Sequence, residues 1–369
     1  MAKWIKCTLA DIGEIVGGAT PSTKRKDYFE GDIPWITPKD LSTHTKRYIR
    51  RGEHNISKEG LASCSAKIMP AKSILFTSRA PIGYVAISDN EICTNQGFKS
   101  IVPNEKIDYL FLFYLMKYYR VSIETMGSGT TFKEVSGKVM KSINIQIPED
   151  KNTQRKIAAI LDGIDSKIEL NQEINDNLQD QTQAIYADMF IAKANSKWQR
   201  GHLSDLITVR YGKDHKKLAN GSYPVFGSGG LMRCVERPLY DKESVLIPRK
   251  GTLNNVIYVN EPFWSVDTMF YTEMRLPNVA KFVYHFVKSQ DLASMNAGSA
   301  VPSMTTDILN AMEVVIPSRN ALSQFENTVS PMYMTMQENK KQNLKLAELR
   351  DVLLPKLMSG EIDISNIQF

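Results

Sequence analysis

Two long stretches of this chain carry a narrow apolar stripe at helical spacing. In the first, Ile157, Leu161, Ile164, Ile168, Leu178, Ile185 and Met189 fall at steps consistent with three and four, with Asn171 at one expected apolar place. In the second, Phe325, Val329, Met332, Met336, Leu346, Leu349, Leu353 and Leu357 do the same. Each predicted helix runs about 40 residues, roughly 60 Å at 1.5 Å per residue. Flanked by Gln, Asn, Lys and Asp, the stripe fits a coiled-coil seam between the two helices; docking of each helix on its own globular neighbour fits as well. An Asn in a seam selects register at a cost in stability, and Pro331 predicts a helix start or kink there. Outside these stretches the pattern is one of short strands. Ser73–Phe76, Val85–Ile87, Ile143–Ile147, Val245–Ile247, Val256–Val259 and Val314–Ile316 are brief apolar or β-branched runs punctuated by Gly, Pro, Asn and Ser.

The chain also repeats. Met126-Gly-Ser-Gly-Thr-Thr-Phe through Ile145-Gln-Ile-Pro148 aligns without a gap on Met295-Asn-Ala-Gly-Ser-Ala-Val through Val314-Val-Ile-Pro317. Upstream, Ser73-Ile-Leu-Phe with Arg79 matches Ser244-Val-Leu-Ile with Arg249, and Ile33-Pro-Trp-Ile matches Tyr223-Pro-Val-Phe. An aromatic helical stretch precedes each Met-x-x-Gly. A period near 170 residues indicates a duplicated domain and excludes a short-repeat solenoid. The predicted fold is mixed α/β (α+β): globular domains at 1–148 and 198–317, and spacer helices at 149–197 and 318–369. The two domains are expected to be separated by the two long helices, paired as an antiparallel coiled coil.

Composition changes this picture little until charge is divided. The 369 residues are 42% hydrophobic and 23% charged, which excludes a disordered chain. No apolar run is long enough to span a bilayer, and the N-terminus lacks a signal-peptide core, so a cytoplasmic location is expected. Four dispersed cysteines (Cys7, Cys64, Cys93, Cys234) make no C-x-x-C pair and fit a reducing compartment. The net charge of +6 resolves into +7 for 1–148, −3 for 149–197, +2 for 198–317 and zero beyond. Basic blocks suit a polyanion, the others contact with protein.

Catalytic equipment is not apparent. There is no P-loop and no Asn/Asp-Pro-Pro-aromatic tetrapeptide, and Phe226-Gly-Ser-Gly-Gly230 reads as a tight turn. The five histidines have no metal-ligand spacing, and His285 reads as a satisfied core or edge histidine rather than a ligand. Asp165-Ser-Lys167 reads as the polar face of a helix, a solvated position or one at i,i+4 from the charge of Glu169. No metal site is expected.

What remains suits a polyanion. Ser128, Thr130 and Lys133 in the first Gly/hydroxyl loop, and Ser299 in the second, can offer backbone N–H groups, hydroxyls and charge to phosphates or base edges. Arg79, Arg249 and Lys250 follow strand-like runs; Arg suits a guanine edge and Lys a phosphate. Lys24-Arg-Lys26, Lys46-Arg47, Arg50-Arg51 and Lys216-Lys217 are further basic clusters. Ile157, Ile164, Ile168, Leu346, Leu349 and Leu353 are the candidate helix-pairing residues.

Several motifs resemble one family in order along the whole chain. Gly18-Ala-Thr-Pro-Ser22, Tyr28-Phe-Glu-Gly-Asp-Ile-Pro-Trp-Ile36 and Lys39-Asp-Leu41 resemble the opening of a target recognition domain in the DNA-specificity (S) subunits of type I restriction–modification systems. Tyr223-Pro-Val-Phe-Gly-Ser228, Ile247-Pro-Arg-Lys-Gly251 and Trp264-Ser-Val-Asp-Thr268 resemble a second version. The run from Gln154 to Ile168 is similar to the family's central spacer helix, and Leu354-Pro-Lys-Leu-Met-Ser-Gly-Glu-Ile362 to the end of its C-terminal one. Two departures stand out: the first spacer ends Ile185-Tyr-Ala-Asp-Met-Phe190, and the second has Ser323-Gln324 in place of Glu-Gln. The resemblance implies a non-catalytic subunit whose two domains each read half of a bipartite double-stranded DNA site. The helices would set the gap and dock adenine-N6 methyltransferase (M) subunits, two of them. A restriction/translocation (R) subunit would complete the enzyme. S-adenosylmethionine, Mg and ATP would then sit on partner subunits only, and no membrane is involved. When the methyltransferase is missing, a long apolar seam can also pair two copies of the chain.

Overall fold

Runs such as Ile74–Ser78 and Ser244–Pro248 have every side chain buried, which marks them as central strands covered on both faces. The computed structural model describes residues 3–79, 81–129, 133–296 and 302–364, and the chain divides into two compact units. The first comprises Met1–Gln172 with Lys340–Phe369, the second Glu173–Asn339. The division falls within the long helices, so each unit holds the first part of one helix and the last part of the other, or the reverse.

In the first unit a five-stranded sheet runs in the order Gly13–Gly17, Lys99–Pro103, Ile74–Ser78, Ile82–Ser88, Tyr48–Ile49, antiparallel except at the last pair. A small sheet of Asn55–Ile56, Ile33–Ile36 and Cys93–Thr94 lies beside it in the chain's path, and Trp4–Thr8 pairs with Asn144–Pro148. The helix Tyr109–Thr125, capped by the Asp108 carboxylate on the Leu110 and Phe111 amides, buries Phe111, Leu112, Phe113, Tyr114, Leu115 and Met116 in the unit's main core.

The second unit repeats this plan. Its larger sheet runs Ile207–Tyr211, Met269–Met274, Ser244–Pro248, Ile257–Val259, and its small sheet Gly230–Val235, Asn220–Gly227, Trp264–Ser265. Gln199–His202 pairs with Glu313–Ile316, and Ala280–Lys288 is the aromatic helix. The correspondence extends to single atoms. Trp35 pairs with Cys93 across parallel strands in the first unit, and Val225 with Trp264 in the second. The large ring has changed strands, yet each indole N–H donates to the carbonyl of the residue after an equivalent glycine: Ala19 after Gly18 (3.0 Å), Lys213 after Gly212 (2.8 Å). A Cβ at either glycine would lie 2.0 Å from a backbone oxygen, so the close approach requires Gly at both.

All six expected strand runs form strands, with ends shifted by a few residues. The long helices are Lys151–Ala187, continued by a π turn at Asp188–Ala192, and Arg319–Met358. Pro331 neither starts nor ends the second one. Pro331 and Asn327, whose carbonyl loses its i+4 donor, are both exposed, so water can satisfy that carbonyl.

Within each unit the helices pair antiparallel. In the first, Arg350 meets Asp165 at 2.9 Å, and the Asn343 amide donates to the Ile168 carbonyl. Asn171, fully buried, donates to Gln342 and Asn343 at 2.7 and 2.8 Å. In the second, Asn175 donates to the Met336 carbonyl and accepts from Asn339. Amide side chains thus form a hydrogen-bonded ladder between the helices of each unit, and docking is as prominent as pairing. Ile157 lies in the first unit's main core, and Leu353 packs against it. Ile164, Ile168 and Leu346 are half-buried. Leu349 is 47% exposed and leaves the expected seam, because its neighbour Arg350 turns inward to the Asp165 carboxylate.

Candidate nucleic-acid interface

In the first unit the strand Ile74–Ser78 ends at a buried serine whose N–H donates to the Gly97 carbonyl (2.7 Å) and whose own carbonyl accepts from Val135 (3.0 Å). The next residue, half-buried Arg79, forms an antiparallel bridge with Glu134, which bridges in turn to Ser128. Arg79 Nη1 lies 3.6 Å from Glu134 Oε2, and Lys99 Nζ lies 3.2 Å from Oε1. Ser128 and Lys133 are exposed beside this cluster. Thr130 lies outside the described residues.

The second unit builds the same strand end. Arg249 donates its N–H to the Thr268 carbonyl (2.8 Å) and accepts at its own carbonyl from Met304 (2.8 Å), while Lys250 bridges Ser303. Arg249 therefore occupies the place of Ser78, and Lys250 the place of Arg79. The sequence alignment of Arg79 with Arg249 is one residue out of register, because an Arg follows both strands but at different distances. Arg249 lies over the Tyr211 ring, 5.3 Å from its centroid, and donates to the Asp267 carbonyl at 3.2 Å. Lys250 is exposed. Gly251 has φ +86°, a backbone that favours glycine, and Asn255 ties the turn Ser228 carbonyl to this region (2.9 Å). The Phe226–Gly230 stretch is the tip of the hairpin formed by Asn220–Gly227 and Gly230–Val235. Ser299 lies outside the described residues.

Of the other basic clusters, Arg25 pairs with Asp27 at 2.6 Å, and Arg50, Arg51, Lys216 and Lys217 are exposed. Arg47 is not a surface cation. Only 8% exposed, it grips the first long helix through both Glu169 oxygens (3.0 and 2.9 Å), the Asp162 carboxylate and Ser166 Oγ (2.8 Å). Burial pushes the Asp162 carboxyl up while Arg47 opposes that shift. Asp165 is likewise no solvated residue: it is buried, accepts from Tyr114 Oη (2.9 Å) and pairs with Arg350. Nearby Lys117 is pulled below the usual ammonium range by burial, partly offset by Asp165. The isolated charges of the sequence thus join two buried networks that charge counting could not reveal.

Signs of bond-making chemistry are sparse. Among the described residues no group of three or more His, Cys, Asp and Glu could hold a metal ion. Burial pushes the Cys93 thiol up to about 12, far from a thiolate nucleophile. His285, fully buried, faces Gln183 Oε1 through Nδ1 (2.8 Å) and Tyr333 Oη through Nε2 (2.9 Å), and burial lowers its pKa to about 3. It is a satisfied core histidine. Glu134, Lys99 and Tyr211 are the members of the cation sites that sequence reading missed. They come from loops and strands distant in sequence, and no local motif marks them. No described helix is long and apolar enough to cross a membrane.

A family model for the type I restriction modification DNA specificity domain matches twice, at residues 1–180 and 195–345. The chain belongs to this family. It is 31% identical to the type I restriction enzyme MjaIX specificity subunit of Methanocaldococcus jannaschii over 99% of this chain and 94% of that protein. It is 24% identical to the EcoprrI specificity subunit of Escherichia coli over 84% and 82%. A crystal structure of a type I restriction–modification S subunit from M. genitalium shares the fold, with a TM-score of 0.62 at 19% identity over 97% of this chain and 96% of that one. The two matched specificity-domain regions correspond to the duplication read from the sequence.

Proposed function

We propose that this specificity subunit is the non-catalytic, DNA-reading component of a type I restriction–modification enzyme, each unit reading one half of a bipartite double-stranded site. The observation that carries the proposal is the strand-end cation site built twice: Arg79 with Lys99 and Lys133 in one unit, Arg249 with Lys250 in the other, each bridged to a loop bearing hydroxyls. Arg79, Ser128, Thr130, Lys133, Arg249, Lys250 and Ser299 are the proposed DNA contacts. The long helices set the unspecified gap and dock two methyltransferase subunits; a restriction subunit completes the enzyme. S-adenosylmethionine, Mg and ATP belong to those partners.

Purified chain with its methyltransferase partner is expected to bind one bipartite duplex roughly 1,000-fold or more tighter than scrambled duplex, with affinity falling steeply as salt rises. Substituting Lys250 by Ala lowers the salt slope by about 1 if it neutralises a phosphate. Equal affinity for scrambled DNA refutes the proposal.

A further inference from the structure

We infer that Glu134 is a specificity-determining residue: in the first half-site it accepts a hydrogen bond from a cytosine N4 amine while Arg79 takes the O6 and N7 of the paired guanine. The inference rests on the DNA-reading function proposed above. A carboxylate on a surface meant for a polyanion opposes every phosphate nearby, so its presence there needs a reason. Closing the backbone bridge is not that reason. The second unit forms the equivalent bridge, Lys250 to Ser303, with a serine in the place of Glu134.

The geometry supplies a better one. Glu134 and Arg79 side chains are 38% and 34% exposed, open to a duplex, whereas Lys99 at 17% lies behind them. Lys99 holds Oε1 at 3.2 Å. Oε2, 3.6 Å from Arg79, keeps lone-pair capacity for a further donor. A C·G pair shows a donor amine beside two acceptors on its major-groove edge, and a carboxylate next to a guanidinium is the matching set. The same carboxylate repels a duplex that offers no amine there, so it discriminates by penalty as well as by attraction.

The test uses the complete complex with its methyltransferase subunits and S-adenosylmethionine on a library of random duplexes, reading every methylated adenine. For Glu134→Gln, and for Glu134→Ser as the residue the second unit tolerates, discrimination at one C·G pair of one half-site should fall about 10- to 100-fold. The other half-site should stay unchanged, and scrambled duplex should bind several-fold tighter. Retention of the other half-site reports a folded complex. A motif unchanged at every position, or a loss spread evenly over all positions, overturns the role of Glu134. If the wild-type complex itself shows no preferred motif, the DNA-reading function falls instead.

Discussion

His285 ties the second unit's stability to pH. Its imidazole is fully buried between Gln183 on the first long helix and Tyr333 on the second, stacked on Tyr186, and the Lys288 ammonium adds repulsion to the burial that disfavours its cation. The two hydrogen bonds suit the neutral ring, Nδ1–H donating and Nε2 accepting. In the unfolded chain this imidazole takes a proton near its ordinary value of about 6.5; in the native unit it does so only near 3. Between those values the unfolded state binds more protons, so acidification favours unfolding. From pH 7.5 to 5.0 the loss is about 2 kcal/mol, at roughly 1.4 kcal/mol per pH unit below 6.5. Urea unfolding followed by amide exchange in the second unit, compared with His285→Gln, isolates this contribution, because every other titrating group is common to both proteins. The expected outcome is a wild-type loss about 2 kcal/mol larger than the variant's. Equal losses, or a native imidazole that titrates near 6.5 by NMR, would show that His285 does not couple the unit's stability to pH.

Two further outcomes follow from buried contacts. Arg47→Met strands Asp162 and Glu169, a third or less exposed, and should destabilise the first unit by about 3 kcal/mol in denaturant unfolding; an effect below 1 kcal/mol would show that the network is dispensable. Trp35→Val should cost about 2–4 kcal/mol, and adding Cys93→Trp should recover part of it by installing the second unit's arrangement; no recovery would contradict the structural equivalence of the two pairs.

The duplication, the strand runs and both long helices were legible because buried strands and helical stripes leave periodic marks in the sequence. Asn171 was also legible as a polar break in an apolar stripe, and it is a buried rung of the amide ladder. Arg47, Asp165 and Arg350 were not. A charged residue on a polar helix face or in a basic run looks solvated until its partner, more than 100 residues away, is placed against it. Leu349 failed for the complementary reason: Arg350 displaced it from the seam. In the candidate site, sequence picked out Arg79, Lys133, Arg249 and Lys250 but could not find Lys99, Glu134, whose meaning depends on Arg79 and Lys99, or the Tyr211 ring under Arg249. A one-residue difference in strand-end spacing also hid the equivalence of Arg79 and Lys250, which only backbone pairing reveals.

Mapping of methylated adenines across the genome, with the gene intact and deleted, shows whether this chain supplies the sequence specificity. The expected result is one bipartite motif with a fixed gap that is lost on deletion and restored by the intact chain. Methylation that keeps the same motif in the deletion strain would contradict it.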